Sequence, residues 1–169
     1  MSKKALILVS IFWLVIIGSL IGLKEYTLRT GTEVLLRTVP VDPRDLFRGD
    51  YVILRYEIST INIGNTHVNW GSFKGSNIYV TLVVEDGYGR ATGVSFEKPD
   101  GLFIYGKITE ASEAEITLNY GIESYFVPEG AGKLIESQRG NGLDVRVSID
   151  RFGNSLIKSL AFHDDAPAT

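Results

Sequence analysis

The sequence predicts a mainly β protein, an antiparallel sandwich or barrel-like domain behind one N-terminal transmembrane helix. Three observations predict it. Residues Ala5 to Leu23 form an uncharged apolar run. The rest of the chain breaks into short apolar stretches separated by turn residues. Its 18 Gly, 8 Tyr and 8 Phe weight the composition toward turns and aromatic strand positions.

The helix comes first in the chain. ALILVSIFWLVIIGSLIGL carries no charge and only two Ser. At about 1.5 Å per residue it is about 28 Å long, close to the roughly 30 Å hydrocarbon layer of a bilayer. A buried core helix would carry a polar face, and this run has none. A cleaved signal peptide would be shorter, with small residues at its cut site. Gly18-Ser19-Leu20 and Ser19-Leu20-Ile21-Gly22 are poor matches to such a site. An uncleaved signal anchor fits best, so residues 5–23 are expected to contact membrane lipid, with 1–24 as anchor and 25–169 as domain. Lys3 and Lys4 precede the run, and Lys24 and Arg29 only partly offset them. The positive-inside rule then predicts a cytoplasmic N-terminus on the inner (cytoplasmic) membrane, with the domain on the periplasmic or extracellular side.

Strands are expected at 33–41, 51–58, 77–85, 93–97, 102–109, 115–120 and 143–149, with a further one over 156–162. Val145, Val147 and Ile149 alternate with Arg146, Ser148 and Asp150, the period of a half-buried strand. Gly64-Asn65, Gly75-Ser76, Asp86-Gly87-Tyr88-Gly89, Pro99-Asp100-Gly101 and Arg139-Gly140-Asn141-Gly142 read as turns. A short helix is plausible within 127–138, around Lys133 to Ser137.

Composition narrows the function classes. The chain of 169 residues, 44% hydrophobic and 22% charged, suits one domain plus an appendage. A net charge of −3 without any basic run gives no footprint for nucleic acid. With no cysteine, disulfides, thiolate metal sites and cysteine nucleophiles are excluded. No cofactor is expected.

Two stretches are denser in charge and aromatics than a plain sheet requires: Val41 to Tyr56, and Tyr120 to Gly130. Asp42-Pro43 starts a turn, and Asp45 and Arg48 are spaced to pair across it. Gly49-Asp50 then redirects the chain into a strand with Tyr51, Ile53 and Arg55 on one face and Val52, Leu54 and Tyr56 on the other. The structural reading is a turn tied down by its own Asp and Arg side chains. The functional reading is a partner or ligand surface, with Arg44, Arg48 and Arg55 as anion donors. Asp42, Asp45 and Asp50 could hold a divalent cation through oxygen ligands, although the EF-hand spacing is absent.

Gly49-Asp50-Tyr51-Val52-Ile53-Leu54-Arg55-Tyr56 fits G-D-Y-x-x-L-x-Y at every specified position. The chain thus resembles the GDYXXLXY family of bacterial membrane-anchored proteins. Tyr120-Gly121-Ile122-Glu123 and Tyr125-Phe126-Val127-Pro128-Glu129-Gly130 resemble that family's later motif, and the similarity covers essentially the whole chain. The resemblance implies a protein that accompanies multi-spanning membrane proteins; it supplies no site residues to carry over.

No catalytic constellation is complete in the sequence. The segment Gly49-Asp50-Tyr51-Val52 is faintly similar to one that follows the catalytic serine of type I signal peptidases. No Ser occurs here between Ser19 and Ser59, and the first Lys past Lys24 is Lys74, so the Ser and Lys that chemistry needs are absent. His67 lies in a polar loop and His163 near the C-terminus, more in keeping with surface residues than ligands. Glu123 and Glu129 could form a glycosidase-type pair, though a capping role suits them better. Gly130-Ala131-Gly132-Lys133 lacks the spacing of a phosphate loop. The expected function is an accessory or assembly protein that binds a membrane-protein partner, with a surface drawn from Asp42, Arg44, Asp45, Arg48, Asp50, Arg55, Glu123, Tyr125 and Glu129. The alternative is an envelope hydrolase or ligand-binding domain.

Overall fold

The computed structural model describes residues 2–39, 51–64, 68–126 and 143–162. Helix α1 (Lys3–Thr30) begins where the Ser2 side chain accepts a hydrogen bond from the Ala5 amide at 3.3 Å. It runs without Pro or charge through the apolar segment, whose large side chains are exposed except Ile16, which is half-buried. The helix continues six residues past the anchor boundary at 24, because Tyr26, Leu28 and the Arg29–Glu25 pair at 2.5 Å keep it helical. Gly31 ends it, turning into extended backbone while its amide still donates to the Thr27 carbonyl at 3.0 Å.

Among the described residues ten strands follow: β1 (Thr32–Arg37), β2 (Tyr51–Ile53), β3 (Thr60–Asn62), β4 (Asn77–Glu85), β5 (Tyr88–Ser95), β6 (Phe103–Ala111), β7 (Glu115–Asn119), β8 (Ser124–Phe126), β9 (Leu143–Ile149) and β10 (Ser155–Phe162). Eight form one curled sheet in the order β10-β9-β1-β5-β4-β6-β7-β3, while β2 and β8 pair separately. The fold is thus mainly β and half-barrel in shape. Among these strands every pairing is antiparallel except β1 with β5, which run parallel in register at Leu35 and Tyr88. The β9–β10 turn reaches back across the curl, where the Gly153 carbonyl accepts from the Tyr105 amide of β6 at 2.8 Å.

Alternation explains the core. Val34 and Leu36 of β1, Ile78, Val80 and Leu82 of β4, Ile104 and Ile108 of β6, Ile116 and Leu118 of β7, and Val145, Val147 and Ile149 of β9 all point into the curl and are buried. Full burial of each such side chain contributes about 1.5–3 kcal/mol. The short helix expected within 127–138 lies outside the described residues.

The helix is not loosely appended. Thr27, in its last turns, is buried against β9. Its hydroxyl donates to Asp150 Oδ2 at 3.2 Å, and its carbonyl accepts from the Ser148 hydroxyl at 2.6 Å. Gly31 is required here, because a Cβ would lie 2.6 Å from the Thr27 carbonyl and 2.9 Å from that of Ile149.

Asp150 organises the β9–β10 turn as well. It accepts from the Phe152 and Asn154 amides at 2.8 and 3.0 Å and from the Asn154 side chain at 2.9 Å. Burial works to raise its pKa, but these bonds and the Thr27 hydroxyl outweigh it and hold the carboxyl below its ordinary value. A depressed carboxylate gives stability that is present above its unfolded pKa of about 4 and disappears as pH falls through the folded value. The junction will therefore loosen in acid, below about pH 4, and Asp150→Asn will flatten that dependence. Amide exchange at Gly31, Phe152 and Asn154 across this range checks it.

Candidate functional site

The described parts of the two stretches singled out in the sequence, 51–56 and 120–126, meet in space. Strand β2 pairs antiparallel with β8, Val52 opposite Tyr125, and the Leu54 amide extends the ladder to the Glu123 carbonyl at 2.8 Å. Beyond Leu54 the chain touches β1, through the Val39 amide to the Arg55 carbonyl at 2.8 Å and a bridge between Thr38 and Tyr56. It then enters β3 at the edge of the large sheet. The motif segment therefore stitches the two-stranded piece to both flanks of the half-barrel.

Its side chains do the same. Val52, Leu54 and Tyr56 lie in the core, each 3% exposed or less. The Tyr56 hydroxyl donates to the Ile122 carbonyl at 2.6 Å, and the Tyr120 hydroxyl donates to the Ile58 carbonyl at 2.5 Å. Each tyrosine thus reaches the backbone of the other's segment, a reciprocal brace with both hydroxyls satisfied. Burial first, and the nearby Glu123 second, raise the pKa of both phenols, so they stay neutral. The Tyr56 amide is in turn bonded to the Ser59 hydroxyl at 3.2 Å.

Glu123 is half-buried, and its carboxylate accepts from the Tyr120 amide at 2.5 Å across the turn that holds Gly121 at φ 79°. That is a capping bond, the role weighed against a glycosidase-type pairing. Glu123→Ala should cost about 1–3 kcal/mol, as loss of a hydrogen bond to a charged group does. Urea unfolding measures it.

Arg55 is exposed and donates to the Thr60 hydroxyl at 3.3 Å. Tyr125 is half-buried at the core's margin. The structure thus gathers Arg55, Glu123 and Tyr125 around the β2–β8 pair. Asp42, Arg44, Asp45, Arg48, Asp50 and Glu129 lie outside the described residues, as do His67 and His163. Among the described residues, no three His, Asp or Glu side chains converge as metal ligands would.

Two clusters escaped the sequence reading. On the outer face of the sheet, the Tyr88 hydroxyl donates to buried Asp144 at 2.7 Å, and the Arg37 guanidinium lies 4.5 Å over the Tyr88 ring. Burial and the Asp144 bond, outweighing Arg37, raise the Tyr88 pKa. The only hint in the sequence was an Asp on the face opposite the alternating Val145, Val147 and Ile149. Trp70, Phe73 and Phe96 form an aromatic group, with centroids 6.0 Å apart for Trp70–Phe96 and 4.8 Å for Phe73–Phe96. These rings come from a short 3-10 turn (Trp70–Phe73) and the residue just after β5, a meeting that no local spacing announces.

The model of the GDYXXLXY protein family matches residues 13–160, from within the helix to the last strand. The chain belongs to the GDYXXLXY family. No curated protein and no solved structure matches it. Within the family's octapeptide, Leu54 and Tyr56 are core residues.

Proposed function

We propose that this GDYXXLXY protein is a single-pass membrane protein whose β domain acts as an accessory or assembly subunit for a membrane-protein partner. The observation that carries the reading is the junction. An apolar helix long enough to cross a bilayer ends in a hydrogen-bonded seat on β9 rather than in a free linker. Such an arrangement holds the domain at a set height and orientation above a membrane, which suits docking onto a neighbour in the same membrane. Lys3 and Lys4 before the helix argue for an extracytoplasmic domain on the inner membrane. The surface we assign to the partner runs from exposed Arg55 across Tyr125 and Phe126 of β8, since Tyr and Arg are favoured at interface centres.

A mild-detergent pull-down of the full-length chain tests this. It should recover one membrane protein in stoichiometric amount, and Arg55→Glu should lower the yield with the domain still folded. Recovery of nothing above background would count against the proposal.

A further inference from the structure

We propose that the β9–β10 turn is a second membrane contact, in which Phe152 enters the headgroup layer of the bilayer crossed by α1 and Arg151 and Lys98 engage anionic lipid phosphates. The inference rests on the reading that α1 spans the membrane. Strand β9 runs antiparallel to β1 and so returns toward the end of the helix, and the turn after it projects from that end of the domain. Its height is set by the junction. Asp150 bonds Thr27, which lies four residues past Leu23, the last residue of the apolar run. At about 1.5 Å per residue that is about 6 Å beyond the hydrocarbon. The headgroup layer is itself roughly 5–8 Å deep on each side, so the turn is level with it.

The residue types at this height suit that layer. Phe152 is 54% exposed although it is a large aromatic at a turn. Arg151 places its guanidinium 4.8 Å from the Phe152 ring, and Lys98, delivered by the β5–β6 connection, places its Nζ 5.6 Å from the same ring. Two cations from separate elements thus lie beside one exposed ring, and Lys24 and Tyr26 occupy the helix between Leu23 and Thr27. Of the acidic groups nearby, Asp150 is turned into the hydrogen bonds of its own turn, and Glu25 pairs with Arg29. Glu97 and Asp100 flank Lys98 in sequence and temper the positive charge. Basic groups held near an anionic membrane surface are attracted to it, and an aromatic ring is at home in the interface.

The chain has no cysteine, so single-cysteine variants of the full-length protein can be spin-labelled site by site. Val15→Cys marks the helix centre, Phe152→Cys the turn, and Glu113→Cys the exposed β6–β7 turn at the other end of β6. Each is reconstituted in vesicles of mixed phosphatidylglycerol and phosphatidylcholine, and the accessibility to oxygen is compared with that to a water-soluble nickel chelate. The expected oxygen-to-nickel ratio is highest at 15, several-fold higher at 152 than at 113, and lower at 152 when Arg151→Glu and Lys98→Glu are added or phosphatidylglycerol is left out. A ratio at 152 equal to that at 113, with 15 still in lipid, overturns the contact and leaves the anchor standing. A ratio at 152 indifferent to lipid charge and to both reversals overturns the phosphate engagement. Water accessibility at 15 overturns the anchor and, with it, this inference.

Discussion

Tyr56→Ala will cost the domain about 3–5 kcal/mol, the loss expected for emptying a buried aromatic site. Against a total stability of 5–15 kcal/mol, typical at about this size, that leaves a protein close to unfolding. The side chain is 1% exposed and its hydroxyl holds the Ile122 carbonyl. Tyr56→Phe isolates the hydroxyl, and leaving that buried carbonyl without its donor should cost about 1–3 kcal/mol. Tyr120→Phe should do the same at the Ile58 carbonyl. Because the two phenols brace the same pair of segments, the double variant will lose less than the sum of the singles. Urea unfolding of the four proteins checks all of this, and additive losses would argue that the braces act independently. The phenols also predict alkaline behaviour. A raised folded-state pKa gives stability that is complete below the unfolded value of about 10 and is lost as pH climbs past it. Both Phe variants should unfold less steeply with pH above about 10.

Gly153→Ala should be nearly as damaging. The residue sits at φ 85°, a conformation that costs a non-Gly residue about 1–2 kcal/mol. Its Cβ would also stand 2.9 Å from the Phe103 ring and 3.0 Å from the Tyr105 amide nitrogen, and overpacking of this kind costs about 1–3 kcal/mol. The combined loss, about 2–5 kcal/mol, falls on the point where the β9–β10 turn meets β6. Gly93→Ala is the control, since nothing lies within 4 Å of its Cβ and its backbone is ordinary; it should leave the melting temperature near wild type. Calorimetry separates the two, because each kcal/mol is worth about 2–8 °C in Tm.

Strands with full alternation were legible. β4 and β9 occupy the predicted residues, 77–85 and 143–149, because each carries three apolar side chains on one face. The first half of β5, Tyr88 to Thr92, was not legible, since Gly89-Arg90-Ala91-Thr92 has almost no apolar signal. It is a strand because Asp86 and Gly87, both at positive φ (52° and 81°), make a two-residue turn that folds it onto β4. Gly89 then lets Val34 of β1 pack against it where a Cβ would collide. The three-residue strands β3 and β8 are too short to show a period, and they exist through partners distant in sequence. For the same reason the parallel β1–β5 pairing could not be read locally.

The candidate site was half legible. The motif announced itself by density of Arg, Asp and Tyr, and the grouping of Val52, Leu54 and Tyr56 on one face followed from alternation, but that this face is the buried one came only with the structure. That Tyr56 and Tyr120 would brace each other's backbones did not, because a hydroxyl's acceptor depends on tertiary placement. Nor could spacing show that Thr27, inside an apolar helix, would seat on Asp150 and Ser148, over a hundred residues away.

The proposed placement of the β domain above a membrane on α1 is tested most directly by one measurement. Full-length protein carrying Glu113→Cys as its sole cysteine is expressed in cells, treated with a membrane-impermeant maleimide before and after lysis, and washed with alkaline carbonate. The expected result is a protein that stays in the membrane fraction and is fully modified in intact cells. Release into the soluble fraction, or modification only after lysis, would contradict it.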